Sequence, residues 1–389
     1  MRRNFRMLSQ TLGSSLIAAM LLAGCAGNSP RPEKEKIDQV ITLYDTGNLN
    51  AEQAVSMIAV INETDRIPEA DRTPIAAAPA PSVAAPAVPS VESAAAGGYK
   101  PTAVLTGRLR SIGSDTMDNL MANWEKDFQR FHPGIRFFHE GKGSSTAPAA
   151  LLEGRSDFGP MSRPLKTSEI EAFKAKFGYE PTSLRVAIDA IAVYVHPSNP
   201  IATKGLSVEQ LDAIFSSDRK LGHPDVTTWG QLGLTGEWAN APIRVYSRNS
   251  ASGTYGFFRE AVLAGGNFKT TNKELPGSEA VVDSVASDPY GIGYSGIAYK
   301  KPTVATLPLA AKSGAESFPP EDQYAYTNQY PLARFMYIVL NHKPGAAPIP
   351  LHQEFAAYLF SPEGQAFVAK EGFYRVSSKI AAEDLAKLK

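Results

Sequence analysis

The stretch from Arg248 to Thr254 reads Arg-Asn-Ser-Ala-Ser-Gly-Thr and combines hydroxyl groups, a glycine and one arginine. Ile243 and Val245 predict a strand that enters it, and apolar residues at 255–263 predict a helix that leaves it. The first amides of a helix lack partners inside the helix and can receive an anion. Arginine can hold a tetrahedral oxyanion through two donors. The stretch therefore fits an oxyanion site, or else an ordinary N-capped turn between a strand and a helix.

Two earlier turns carry the same kinds of residue, Gly-Ser-Asp-Thr at 113–116 and Gly-Ser-Ser-Thr at 143–146. Each follows a predicted strand and opens a predicted helix. Because ligands of α/β proteins bind beyond the carboxyl ends of the strands, these turns and the one at 252–254 can converge on one anion. A helix end contributes only about 0.3–1 kcal/mol, so the hydroxyls and the arginine must add to it. The alternative is three independent helix caps.

The elements that position these turns alternate between strands and helices. A stripe of apolar residues from Met117 to Phe131 predicts a helix, and the apolar run from Val186 to Val195 predicts a buried strand. Further helices are predicted at 278–285 and 351–369, and strands at 291–299 and 337–340. The alternation predicts an α/β fold with largely parallel strands.

The beginning of the chain has the pattern of a secretion signal. Arg2, Arg3 and Arg6 precede an apolar run at 16–23 that is too short for a comfortable membrane span. The run ends in Leu-Ala-Gly-Cys at 22–25, which resembles the lipobox of bacterial lipoproteins. That resemblance implies a signal peptide at 1–24, cleavage before Cys25, and attachment of fatty acyl chains such as palmitate. Cys25 is the single cysteine of the sequence, so no intramolecular disulfide can form.

Residues 25–103 are expected to form a lipid-anchored N-terminal extension that ends in a linker. Short helices are predicted within 37–61, but this segment is too small to bury a core of its own. Residues 74–101 contain six proline and ten alanine residues, a composition typical of a semi-extended linker. At about 3.1 Å per residue, this linker could reach roughly 80–90 Å.

Composition excludes several classes of function. Thirty-nine basic residues balance 39 acidic ones, which argues against a broad basic surface for nucleic acid. The six histidines show neither an HxxxH spacing nor a cluster with cysteine, so no metal site is predicted. No nucleophile-elbow sequence is present. The prediction is a protein that is not an enzyme, with no catalytic residues and no cofactor.

Taken in order, the motifs at about 104–376 resemble the phosphate-binding protein of the bacterial ABC-type phosphate importer. The family has a glycine-rich turn ending in threonine, a Gly-Ser-Ser turn, an Asp-Phe-Gly segment and an Arg-x-x-x-Ser-Gly-Thr motif. In this sequence they fall at 113–116, 143–145, 157–159 and 248–254. The motif from Arg248 to Thr254 is the most specific of them, and Gly-Ile-Gly-Tyr at 291–294 adds to the resemblance.

The resemblance implies a two-lobed, periplasmic-binding-protein-like fold with a ligand cleft between the lobes. Two crossover strands, near 189–194 and 329–338, would join lobe I (104–190 and 332–389) to lobe II (191–331). Carried over by position, the groups that would hold phosphate are hydroxyls, amides and guanidinium groups. They belong to Ser114, Thr116, Ser144, Ser145, Ser162, Arg163, Arg248, Ser252, Gly253 and Thr254.

Two positions depart from the family pattern. Many members carry aspartate where this sequence has Ser162, and often another two residues after the clamp arginine, where it has Ser250. The departures predict that Arg248 lacks a carboxylate partner and that phosphate is distinguished less strictly from sulfate. Arg163, which follows Ser162, is expected to be either a second cation of the site or one half of a salt bridge.

The functional prediction is a lipoprotein that captures inorganic phosphate and delivers it to an ABC permease. It would be a monomer anchored by lipid in the bacterial envelope and facing the periplasm, with the outer membrane or the cell surface as further locations. Two alternatives stay open. One is a phosphatase on the same scaffold, and the other is a surface lipoprotein that serves sensing, adhesion or matrix formation.

Overall fold

A computed structural model describes residues 98–389 of the chain. The predicted signal peptide, Cys25 and residues 37–61 lie outside the described residues, as does most of the proline- and alanine-rich linker. Among the residues that are described, no helix is both long and apolar enough to cross a membrane.

The strands of the described region form one mixed sheet and one small sheet. The mixed sheet has the order β2-β1-β3-β12-β4-β8-β6-β7, with β9 paired to β4, and the small sheet has the order β11-β10-β5. The strand bounds are β1 Thr106–Gly113, β2 Gly134–Gly141, β3 Phe158–Met161, β4 Thr182–Val195, β5 Leu206–Ser207, β6 Arg244–Arg248, β7 Lys273–Leu275, β8 Gly291–Gly296, β9 Ala305–Thr306, β10 Leu309–Ala310, β11 Ser317–Phe318 and β12 Ala333–Leu340.

The helices pack on the two halves of the mixed sheet. Their bounds are α1 Asp118–Phe131, α2 Thr146–Leu152, α3 Thr167–Phe177, α4 Val208–Phe215, α5 Gly253–Ala261, α6 Ser278–Ala286, α7 Asp322–Tyr326, α8 Pro350–Leu359, α9 Pro362–Lys370 and α10 Ser378–Ala386. The prediction of a single helix at 351–369 was wrong. It divides into α8 and α9 because Pro362 cannot continue the first helix, and the Ser361 hydroxyl caps the second by accepting from Gly364 N at 3.1 Å.

Two crossover strands run between the halves of the mixed sheet. Strand β4 pairs antiparallel with β12 as far as Ala190 and with β8 from Ile191 onward. Away from these crossovers, β1 is parallel to β2 and β3, and β6 is parallel to β7 and β8. Parallel pairing inside each half places the strand ends, and the turns that follow them, on the same side of the sheet. The α/β prediction is confirmed.

Each half has its own hydrophobic core, as expected for two lobes. Trp124 and Phe355 belong to a buried cluster between α1, α8 and the strands β1–β3. Phe258 and Tyr294 belong to a second cluster in lobe II, where their rings stack with centroids 3.7 Å apart. Two separate cores are what a fold of two packed lobes requires.

Tyr99, within the predicted linker, already packs on lobe I. Its hydroxyl donates to Glu354 Oε2 at 2.6 Å and lies 2.8 Å from His132 Nε2, and its amide donates to Glu363 Oε2 at 2.8 Å. The linker was predicted to extend to residue 101. The folded part therefore begins a few residues earlier. The ring of Tyr99 packs edge-on against Phe131 and Tyr358, and its polar groups have hydrogen-bond partners.

His139 on β2 links that strand to two carboxylates on α1. Its Nε2 lies 2.5 Å from Asp118 Oδ1 and its Nδ1 lies 3.1 Å from Glu125 Oε1. Burial lowers the pKa of His139, but the hydrogen bonds and charges of Asp118 and Glu125 outweigh it and raise the pKa to about 9. The imidazolium therefore stabilises the folded state.

The sign of the pH dependence follows from this raised pKa. Protonated His139 contributes fully below an unfolded pKa of about 6.5, and its contribution is lost as the pH rises through about 9. The shift corresponds to at most about 3 kcal/mol, and we expect about 1–2 kcal/mol because Asp118 is half exposed. In urea unfolding between about pH 6.5 and 10, the wild type should lose more stability than the His139→Gln variant. Equal losses in the two proteins would contradict this role.

Candidate anion-binding site

The three turns singled out in the sequence meet at the cleft between the lobes. In lobe I, Gly143 N donates to Gly113 O at 2.8 Å and joins the first turn to the second. Ser145 N then donates to Ala251 O at 3.1 Å, which joins the second turn to the third across the cleft. The side-chain hydroxyls of Thr116 and Thr254 lie 3.0 Å apart, also across the cleft. The two lobes are thus in contact through the residues predicted to bind the anion.

Helix α5 begins directly against lobe I, with glycine at the point of closest approach. A Cβ atom built on Gly253 would lie 2.3 Å from Ser144 Oγ and 2.4 Å from Ser162 Oγ. Ser144 Oγ in turn accepts from Ser162 N at 2.9 Å, and the two hydroxyls are 3.1 Å apart. A larger side chain at 253 would fit only if these serines, or the lobes that carry them, moved, because Ser144 Cβ would also lie 2.9 Å from the added Cβ.

Part of the helix-cap alternative also holds at this turn. Ser252 is the N-cap of α5, and its hydroxyl accepts from Thr254 N at 3.1 Å and Tyr255 N at 3.4 Å. The first turn leads into a short 3₁₀ segment, Asp115–Met117, before α1 begins. The polar groups that these turns present to the cleft are therefore mainly side-chain hydroxyls, together with the Arg248 guanidinium. Fewer helix amides are free than the sequence predicted.

Arg248 ends strand β6, and its side chain is 1% exposed. Its Nη1 donates to Ser278 Oγ at 2.7 Å and its Nη2 to Pro276 O at 3.2 Å. Nη2 also donates to the carboxylate of Asp115, which belongs to lobe I. The prediction that Arg248 lacks a carboxylate partner was wrong, because the opposite lobe supplies the carboxylate that is absent from position 250.

Three buried polar atoms around this ion pair have no hydrogen-bond partner among residues 98–389. They are Ser114 Oγ, Asp115 Oδ1 and Arg248 Nε. Burial raises the pKa of the Asp115 carboxyl, and the adjacent Arg248 guanidinium opposes that shift. Buried polar groups without partners are costly, so their clustering here points to a polar ligand. A ligand that offers both acceptor oxygens and a hydroxyl would satisfy all three.

A second buried arginine, missed in the sequence, lies on the crossover strands beside this cleft. Arg334 on β12 donates from Nη2 and Nε to Asp189 Oδ2 on β4, at 2.8 and 3.1 Å. The two side chains are 1% and 0% exposed. Burial raises the pKa of Asp189 and lowers that of Arg334, and their pairing opposes both shifts. The one signal in the sequence was the rare placement of charged residues inside two apolar strands.

The other sequence-predicted residues occupy distinct positions at the cleft. Arg163 is buried, and its guanidinium donates to both carboxylate oxygens of Glu169 at 2.7 and 2.8 Å. Of its two predicted roles, this contact is that of a salt bridge. Ser145 is exposed at the rim, where its amide makes the contact across the cleft. Within the described residues, no group of three His, Cys, Asp or Glu side chains could hold a metal ion.

The fold and this site define a two-lobed α/β binding protein with an oxyanion-type site in the cleft between its lobes. Comparison with known proteins agrees with that class. A family model described as a PBP superfamily domain matches residues 87–363. The phosphate-binding protein PstS of Pseudomonas aeruginosa is 45% identical over 291 residues, which cover 75% of this chain and 90% of the relative.

Solved structures give the same picture. A phosphate ABC transporter substrate-binding protein from Clostridium perfringens, solved with bound phosphate, aligns with a TM-score of 0.57 and 25% identity. It covers 70% of this chain and 100% of its own. An ABC-type phosphate transport receptor from Vibrio cholerae shares the fold, with a TM-score of 0.55 and 20% identity over 69% of this chain and 100% of its own.

This chain belongs to the PBP superfamily and, within it, to the PstS family of phosphate-binding proteins. The prediction of a binding protein that is not an enzyme is confirmed by this membership. Neither the phosphatase nor the adhesion alternative is favoured by the relatives.

Proposed function

We propose that this protein captures inorganic phosphate between its two lobes and delivers it to an ABC importer. The observation that carries the proposal is the buried Arg248 with an unpartnered Nε, placed where the three predicted turns meet. Its relatives' names, which refer to phosphate binding and phosphate transport, support the same ligand and system.

In this proposal, the phosphate oxygens accept from Arg248 Nε and from the hydroxyls of the cleft. The hydroxyls and amides belong to Ser114, Thr116, Ser144, Ser145, Ser162, Ser252, Gly253 and Thr254. Arg163, held by Glu169, shapes the wall against α5, where its Cδ would lie 3.3 Å from a Cβ on Gly256. Asp115 Oδ1, which is buried and unpartnered, accepts the hydrogen bond of a protonated phosphate oxygen.

Asp115 changes what we expect for anion selectivity. A carboxylate oxygen can only accept when it is ionised, so it favours an anion that carries a proton over one that does not. Sulfate carries no proton at neutral pH and would leave this oxygen unpaired and facing a like charge. The sequence predicted that phosphate is distinguished less strictly from sulfate, because Ser162 stands where many relatives have aspartate. In this proposal Asp115, from another turn, maintains that distinction.

Equilibrium titration tests the proposal. The full chain, stripped of ligand by unfolding and refolding, should bind phosphate with a Kd of about micromolar or below, which needs about 8 kcal/mol. Sulfate should bind at least about tenfold more weakly, because it leaves a buried acceptor unpaired. A folded protein that shows no phosphate binding below about millimolar would refute the proposed function. Equal affinities for the two anions would refute only the role of Asp115.

The same proposal includes a membrane anchor and a partner. Cleavage before Cys25 and its lipidation would hold the protein as a monomer at the envelope membrane, facing the periplasm, where a permease can receive phosphate. The support is the Leu-Ala-Gly-Cys sequence at 22–25 and the long linker behind it. Cys25→Ser should move the protein from the membrane to the soluble fraction. An unchanged membrane fraction would refute the anchor and leave the binding proposal intact.

A further inference from the structure

The Arg334–Asp189 pair contacts both lobes from the crossover strands. The two residues are direct cross-strand neighbours on β12 and β4. Arg334 Nη1 donates to Ser162 O at 2.6 Å, on the lobe I side of the cleft. Its Nη2 donates to Thr254 Oγ1 at 2.8 Å, on the lobe II side. Ser162 and Thr254 are both predicted to bind the anion, so one guanidinium touches two walls of the site.

Asp189 holds that guanidinium in a fixed orientation. Its Oδ2 accepts from Arg334 Nε and Nη2, which sets the plane of the planar fork. Its Oδ1 accepts from Ile297 N at 3.3 Å, where lobe II leaves strand β8. Since both side chains are buried, water does not compete for these donors.

The contact with Thr254 decides where the hydroxyl hydrogen of that residue can point. A guanidinium has donors and no acceptor, so Thr254 Oγ1 must accept from Arg334. The Thr254 hydrogen must then be directed elsewhere, either to Thr116 Oγ1 at 3.0 Å or to a ligand in the cleft. Arg334 thereby makes Thr254 a donor on the side of the cleft, where an oxyanion needs donors.

We infer that Arg334, held by Asp189, is a positioning residue for phosphate binding that fixes the Thr254 hydroxyl as a donor to the anion. The inference rests on the proposed function. Arg334 acts through Thr254 and is not itself a ligand. A purely structural role, in which the pair only joins the crossover strands, is the competing explanation.

A double-mutant cycle separates the two explanations because it measures coupling between two sites. Arg334→Met alone would leave Asp189 buried and unpaired, so the cycle removes the pair together, as D189N/R334M, and compares it with Thr254→Val in the wild-type background. Asp189→Asn alone shows what holding the guanidinium contributes. Phosphate binding by the full chain is measured by calorimetry for the wild type, D189N, D189N/R334M, T254V and the triple variant D189N/R334M/T254V. Thermal unfolding of each protein confirms that it is folded.

If Arg334 acts through Thr254, D189N/R334M and T254V should each weaken phosphate binding about 10- to 150-fold relative to the wild type, the range for a lost hydrogen bond to a charged group. The triple variant should then bind phosphate no more weakly than whichever of these two variants has the lower affinity. Multiplied losses, or no loss for D189N/R334M, would overturn the inference.

If D189N/R334M does not fold, Arg334→Lys in the wild-type background replaces it. A lysine keeps the charge but carries its three donors on one nitrogen, without the planar fork that reaches Asp189, Ser162 and Thr254 in fixed directions, so the same non-additivity with T254V is expected. Failure of the wild type to bind phosphate would refute the proposed function instead.

Discussion

Replacing Arg248 with methionine is expected to weaken phosphate binding by at least about 100-fold while the two lobes stay folded. The guanidinium is buried, and its Nε has no hydrogen-bond partner among the described residues. In the proposed function, phosphate in the cleft is the acceptor for this Nε. A hydrogen bond from Nε to the charged phosphate contributes about 1.5–3 kcal/mol, and the attraction between the buried guanidinium and the anion adds to it, so that together they account for the predicted loss. Calorimetric titration with phosphate measures it.

Arg244→Met is the matched control for this variant. Arg244 lies on the same strand, β6, but its side chain is 50% exposed and pairs with Asp288. Its removal should change phosphate affinity by less than about threefold, because exposed ion pairs contribute little. If Arg248→Met binds phosphate within a factor of about three of the wild type, Arg248 is not a ligand of the anion.

Arg248→Met has a second effect that can be separated from the first. It leaves the Asp115 carboxylate buried without its cation, which destabilises a fold by about 3–5 kcal/mol in comparable pairs. The double variant Asp115→Asn with Arg248→Met should recover much of that stability, as measured by urea unfolding. It should not recover phosphate affinity, and Asp115→Asn alone shows how much of that loss belongs to Asp115, which is itself proposed to contact the anion. This comparison distinguishes a lost ligand from a weakened fold.

Replacing Gly253 with alanine is expected to weaken phosphate binding roughly 5- to 150-fold. The added Cβ would lie 2.3 Å from Ser144 Oγ and 2.4 Å from Ser162 Oγ, far inside contact distance. Forcing a group into a closely packed space costs about 1–3 kcal/mol, and here the space exists only when the lobes meet. The cost should therefore fall on the closed, phosphate-bound state rather than on the folding of either lobe.

Gly277→Ala is the control for Gly253→Ala. Gly277 is the N-cap residue of α6, another helix of lobe II, and a Cβ built on it would meet nothing within 4 Å. This variant should bind phosphate as the wild type does. Thermal unfolding without phosphate should be similar for both variants, whereas the gain in stability on adding phosphate should be smaller for Gly253→Ala. An unchanged affinity in Gly253→Ala would show that the lobes need not approach this closely to hold the anion.

Local sequence determined the parts of the site that depend on neighbouring residues. A strand that ends in glycine and hydroxylated residues before an apolar stripe specifies its turn within a few positions, and the turns at 113–116, 143–146 and 252–254 do meet in the cleft. Apolar periodicity likewise predicted α1 and the crossover strand β4. The division between α8 and α9 is also determined by neighbouring residues, Ser361 and Pro362, although the single predicted helix ignored them.

Only the tertiary structure decided which charges balance the site. Arg248 and Asp115 are 133 positions apart, and Arg334 and Asp189 are 145 apart, so no local pattern could pair them. The sequence showed that a carboxylate was absent beside Arg248, yet it could not show that lobe I supplies one across the cleft. Electrostatic pairing depends on distance in space and on burial, and both arise only when the two lobes are brought together by the crossover strands.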